Sequence, residues 1–231
     1  MPGLFERGTL DLPVTPPATV EAAALWSECA VNRVAVIAVT VLLVLVFSDL
    51  LQLMPLLLRC LSRWKGNIEI EHNIGVARTR SRIAVVCGLC LCIIADRYTG
   101  LAGHWTQEPG LSLAVSAAML AAYTLARRII YLVTPIRKLD SETASALRHS
   151  LYNYSILCCI LLLVSIIPMA ALSVPDETRR IVILAATGLV YFIFVIRAGQ
   201  IIASRYAFFR TFLYLCALEF LPAGILLISA R

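Results

Sequence analysis

The chain has 231 residues, of which 60% are hydrophobic and only 15% charged, with a formal net charge of +6 and a mean hydropathy of +0.86. A soluble domain of this size cannot hide that much apolar surface, and the long continuous apolar runs exclude a barrel of short alternating strands. Within lipid every backbone N–H and C=O must be paired internally, so the composition predicts an all-α, polytopic bundle of transmembrane helices.

In chain order, residues 1–33 read as a polar, Pro-containing tail with a short interfacial helix over Thr19–Cys29, capped by Thr19, and with Trp26 at the headgroup boundary. The tail lacks the basic and apolar regions of a cleavable leader, so the first span is expected to serve as the targeting signal. Residues 34–231 read as a six-span membrane domain, with spans at about 34–58, 83–101, 111–133, 151–172, 181–203 and 208–228. The first span contains Ser48, Asp49 and Gln52 and is expected to kink at Pro55. The following basic loop alternates at Ile68-Glu69-Ile70-Glu71, which suggests a short extended element. Ala114, Ala118, Ala122 and Ala126 recur every fourth residue of the third span and form a smooth stripe that a neighbouring helix can approach closely. Pro135 breaks the chain. Asp140 or Ser141 then caps a helix that runs through Leu172, too long for the hydrocarbon core, so its first turns project from the membrane.

Fourteen of the twenty Lys and Arg residues fall on one side of such a six-span layout. The positive-inside rule makes that side cytoplasmic and places both termini in the periplasm of a bacterial inner membrane. The positive charge is therefore assigned to loops. No basic helix or aromatic–basic motif points to nucleic acid.

Asp49, Arg197 and Glu219 are ionisable residues inside apolar runs, each costing roughly 2.5–3.5 kcal/mol at a helix centre unless paired or hydrated. Glu219 falls near the midplane, with Asp49 about 5 Å and Arg197 about 8 Å toward the cytoplasm at the helical rise. The reading is one buried polar cluster of Asp49, Arg197, Glu219 and Gln200. It serves either as an interhelical ion pair that fixes packing or as a proton- or ion-linked site, with Arg197 snorkelling as the third possibility.

No phosphate loop, nucleophile elbow or zinc helix is present, so no catalytic residue is assigned. Most of the eight cysteines lie within apolar runs as small buried residues. His72, His104 and His149 fall in separate loops on two sides of the membrane and cannot share a metal. No metal or cofactor is expected.

The last span reads Phe212-Leu213-Tyr214-Leu215-Cys216-Ala217-Leu218-Glu219-Phe220-Leu221-Pro222. Its Tyr-Leu-Cys-x-Leu-Glu-x-x-Pro core resembles the C-terminal signature of domain-of-unknown-function family 4271, a multi-pass membrane family typical of Bacteroidota. The resemblance singles out Tyr214, Cys216, Glu219 and Pro222 and implies an inner-membrane location, but no activity. Pro222 withdraws the helical donor from the carbonyl of Leu218, beside Glu219. Three functions stay open: a subunit or scaffold of a membrane complex, with membrane-protein partners or a second copy; a small ion-coupled transporter using intramembrane carboxylates; and a lipid-acting enzyme.

Overall fold

A computed structural model describes residues 26–63, 66–102, 105–106, 108–133 and 140–229. All the regular structure among them is helical, in the order α1 (Ala30–Leu45), α2 (Phe47–Ser62), α3 (Gly66–His72), α4 (Ile74–Thr99), α5 (Pro109–Val133), α6 (Ser141–Ala171), α7 (Asp176–Ala203), α8 (Phe208–Leu215), a π-helical turn (Cys216–Phe220) and α9 (Leu221–Ser229). Four segments are long and apolar enough to cross a bilayer: Gly110–Val133, Glu142–Ala171, Asp176–Ala203 and Phe208–Ile225. The bent pair α1–α2 makes a fifth if it is counted as one span. The chain is a membrane-embedded helical protein.

The first span departs from the expected form. It bends by 68° at Val46, between α1 and α2, and not at Pro55, which sits inside α2. Val46 adopts φ −93° and ψ 3°, the sparsely allowed bridge region. Just beyond the break the sequence turns polar at Ser48 and Asp49, and Asp49 lies in the first turn of α2, where a carboxylate complements the positive end of the helix. The proline costs α2 one hydrogen bond, yet the helix runs unbroken from Phe47 to Ser62.

The basic loop also differs. Ile68 to Glu71 belong to the helix α3, not to an extended element. Period-two alternation in four residues is too short to outweigh tertiary burial, and Ile70 is fully buried. Asn153 of α6 donates through Nδ2 to Asn67 Oδ1 at 2.8 Å, and the Tyr154 hydroxyl donates to the Cys60 carbonyl at 3.2 Å, so α6 holds both α2 and α3. The next helix begins well before the expected span. Asn73 Oδ1 accepts from the N–H groups of Gly75 and Val76, and α4 then runs 26 residues to a left-handed Gly100 at φ 62°.

The long helix α6 matches its expected limits closely, at 31 residues. Asp140 occupies its N-cap position without making the capping hydrogen bond; its carboxylate pairs instead with Arg205 at 2.7 Å. Of the predicted tail helix, Trp26 to Glu28 are helical, and Thr19 to Leu25 lie outside the described residues, as does Pro135.

Polar contacts gather toward the two ends of the bundle. At one end the Asp96 carboxylate accepts from Trp26 Nε1 (2.6 Å), Ser112 Oγ (2.9 Å) and Ser116 Oγ (2.8 Å), tying the start of the first span to α4 and α5. At the other, Glu71 of α3 accepts from Ser145 of α6 and pairs with Arg80 of α4. The apolar core lies between them, with Leu57, Ile83, Ile156, Cys159, Ile183 and Phe194 among its residues.

Gly66 gives a direct test of the α2–α3 junction. A Cβ there would stand 2.9 Å from Arg59 C and Cys60 N, both backbone atoms that cannot move aside cheaply. Gly66→Ala is expected to cost about 1–3 kcal/mol, as overpacking does. Denaturant unfolding in detergent would measure it, and wild-type stability would show that the junction is loose.

Candidate functional site

A fully buried polar group of the bundle is built on Glu219. Pro222 has no N–H and its ring opposes the carbonyl of Leu218, so an ordinary α-helix cannot pass through this point undisturbed. The chain answers with a π turn over Cys216–Phe220, in which the N–H of Leu221 reaches back to the carbonyl of Cys216. Such single-turn bulges often mark functional sites. Here the turn carries Glu219 into the interior, where its side chain is 1% exposed.

Its partner is Arg127 of α5, whose side chain is 5% exposed. Nε donates to Glu219 Oε2 at 3.1 Å and Nη2 to Oε1 at 2.9 Å, a bidentate pair. The Tyr131 hydroxyl, one turn along α5, donates to the same Oε1 at 2.8 Å and accepts from Arg127 Nη2 at 3.3 Å. Arg127 Nη1 donates to the carbonyl of Arg148 in α6 at 3.1 Å. The guanidinium also lies over the rings of Tyr131 (4.7 Å) and Phe194 (5.4 Å), which adds a cation–π attraction. From α7, the Tyr191 hydroxyl donates to the backbone carbonyl of Glu219 at 3.1 Å. This carbonyl, not that of Leu218, is the one so engaged. One ion pair thus joins α5, α6, α7 and the last span.

The expected four-residue cluster is not assembled. Glu219 is with Arg127. Arg197 donates through Nη1 to Gln200 Oε1 at 2.8 Å, and through Nη2 to the carbonyls of Leu61 (2.5 Å) and Ser62 (3.0 Å). It therefore satisfies the last carbonyls of α2, groups that every helix end leaves unpaired. Asp49 is half-buried on α2, and among the described residues no hydrogen bond or ion pair joins it to Arg197 or Glu219. Arg127 stands outside the cluster expected from the sequence. The signal that singles it out is the spacing Tyr123, Arg127, Tyr131, one face of a helix at four-residue steps, with Arg128 left on the exposed side. Of the other motif residues, Tyr214 packs edge-on against Tyr206 at 5.3 Å, Cys216 opens the π turn, and Pro222 is buried.

A second charged group sits outside the apolar spans. Glu71 contacts Arg80, Ser145 and, at 3.4 Å, His149 Nδ1, while the His149 ring stacks on Tyr152. Burial pushes the Glu71 carboxyl up, but hydrogen bonds and attraction from His149 and Arg80 outweigh it and hold the pKa at about 2. Among the described residues no three His, Cys, Asp or Glu side chains converge to hold a metal.

The arginine–glutamate pair, the tyrosines around it and the π turn all fall within residues 82–228, which match the family model described as Domain of unknown function (DUF4271). The chain belongs to the DUF4271 family. Comparison with curated proteins and with solved structures gave no match. The DUF4271 region covers α5 to α8, α9 but for its last residue, and all of α4 but its first two turns, whereas α1 to α3, Trp26 and Glu71 precede it.

Two outcomes are expected here. Glu219→Leu strands a buried guanidinium and should lower stability by about 3–5 kcal/mol, while adding Arg127→Met should restore most of that loss. Unfolding of the three purified proteins in one detergent reads this directly; a double variant no better than the single would contradict the pairing. Glu71 gives a pH signature. A folded pKa below the ordinary carboxylate value of 4.5 contributes stability that is complete above that value and fades as pH falls toward 2. The stability gap between wild type and Glu71→Gln should therefore shrink over that window, and a gap independent of pH would contradict it.

Proposed function

We propose that this chain is a non-enzymatic subunit or scaffold of a membrane complex. The observation that carries this reading is the exposure of α5. Only 11% of its apolar window is buried within the chain, and Ala114, Ala118 and Ala122 lie uncovered on its surface. A stripe of small residues gives lipid little to grip and lets another helix backbone come close. Meanwhile the buried Glu219 carboxylate is held by Arg127 and Tyr131 together, as a structural brace would be.

The same reading takes the chain across the bilayer six times. The bent pair α1–α2 starts beside Trp26 and Asp96 and ends beside Arg197 and Asn153, and α4 connects Arg80 with Asp96. Both therefore link the two polar ends. At 26 residues and about 39 Å, α4 is long enough to cross, although Arg82, Asp96 and Arg97 bound its apolar stretch. The arginine asymmetry supports a bacterial inner membrane with both termini periplasmic.

A second reading, an ion-coupled carrier, is favoured by one feature: a carboxylate at a π turn in mid-span, touched by a hydroxyl that can pass a proton. Purification from its host in mild detergent separates the two. A subunit should bring stoichiometric partners or a second copy, and Ala118→Leu should reduce their recovery several-fold without changing the melting temperature of the chain. A single monodisperse chain, together with proton flux in liposomes that Tyr131→Phe abolishes, would favour the carrier.

A further inference from the structure

At the end of α2 the chain turns sharply into α3 and leaves a cavity of about 410 Å³, lined by Arg59, Ser62, Arg63 and Gly66. The size is that of a small-ligand site. Arg59, Ser62 and Arg63 are exposed, so the cavity opens on the surface with two guanidinium groups on its wall, and its described lining contains no carboxylate.

The end of a helix normally repels an anion, because its last carbonyls point outward with partial negative charge. Here that repulsion is removed. Arg197 covers the carbonyls of Leu61 and Ser62, and the backbone N–H of Arg63 takes the carbonyl of Arg59 at 2.8 Å. Arg197 thereby brings a third positive charge against the cavity rim. Leading up to that rim is an apolar stripe: Leu51, Pro55 and Leu58 are exposed at helical spacing, Leu51 by 55% and Leu58 by 53%, and the stripe ends at Ser62.

We infer that this cavity binds the phosphate of an anionic phospholipid, whose acyl chains lie along the Leu51–Leu58 stripe. Arginine is suited to the task because its planar fork meets two phosphate oxygens at once. Basic pockets between helices at the membrane surface are where such headgroups lodge. The cavity precedes residue 82, so the inference adds a site outside the family-matched region and does not depend on the scaffold reading.

The test uses the full chain in a neutral detergent, titrated with phosphatidylglycerol or phosphatidylcholine, with bound lipid read by native mass spectrometry. Wild type should retain phosphatidylglycerol in preference. The double variant Arg59→Gln, Arg63→Gln should weaken that retention roughly tenfold or more, whereas Arg78→Gln, Arg82→Gln on α4 should not. Ser62→Glu keeps both arginines and their packing while placing a negative charge at the rim, and should give the same loss. Equal loss in the α4 control would reduce the effect to general charge, and unchanged retention in Ser62→Glu would overturn the site. Displacement of the lipid by millimolar inorganic phosphate would assign the cavity to the free anion and overturn the lipid.

Discussion

A carboxylate can stay in the interior of an apolar helix bundle only if something replaces the water it has lost. For Glu219 that replacement is Arg127, with two hydrogen bonds from the guanidinium and a third from Tyr131. In a low-dielectric interior such a pair is weak as net stabilisation but severe as a constraint, because either partner left alone carries the full cost of its desolvation. The arginine must therefore be delivered to one place, and the helices that deliver it are fixed with it. Its remaining contacts reach Arg148 in α6 and Phe194 in α7, so the constraint extends across four spans.

The polar groups elsewhere follow the same rule at lower stakes. Asp96 is satisfied by an indole and two hydroxyls, and Arg197 by backbone carbonyls. Neither uses a counter-charge. Apart from Gln200, which shares α7 with Arg197, these partners come from other elements, so the contacts also fix how two elements sit. Away from these contacts the packing is apolar and nondirectional. Polar contacts set the register; burial supplies the cohesion.

Much of this was legible in the sequence. The helical class and the limits of α5 and the last span follow from hydropathy, because apolar runs in lipid have few alternatives, and the start of α6 follows from the capping pattern at Asp140 and Ser141. Glu219 and Pro222 were legible as a polar spot and a helix disturbance. The partner of Glu219 was not. Depth along a helix places Arg197 and Glu219 within reach, but it says nothing about which face each presents, and Arg127 competes for Glu219 from a helix whose neighbours the sequence does not specify. The end of α2 drew Arg197 away for a related reason, since the helix runs past the expected end of the span at residue 58 to Ser62. The helical form of Ile68–Glu71 was decided by contacts distant in sequence, which local pattern cannot carry.

The π turn has a geometric consequence for everything beyond it. One residue more than the α-helical ladder needs is accommodated between Cys216 and Phe220, and each residue of an α-helix advances the azimuth by about 100°. The side chains of Leu221 to Ile225 are thus rotated by that angle from where an unbroken helix continuing α8 would aim them. A heptad wheel drawn through the whole segment assigns the wrong wall to one half. Losing a single residue from the turn would spin Leu221 to Ile225 like a dial and present that apolar end to different neighbours.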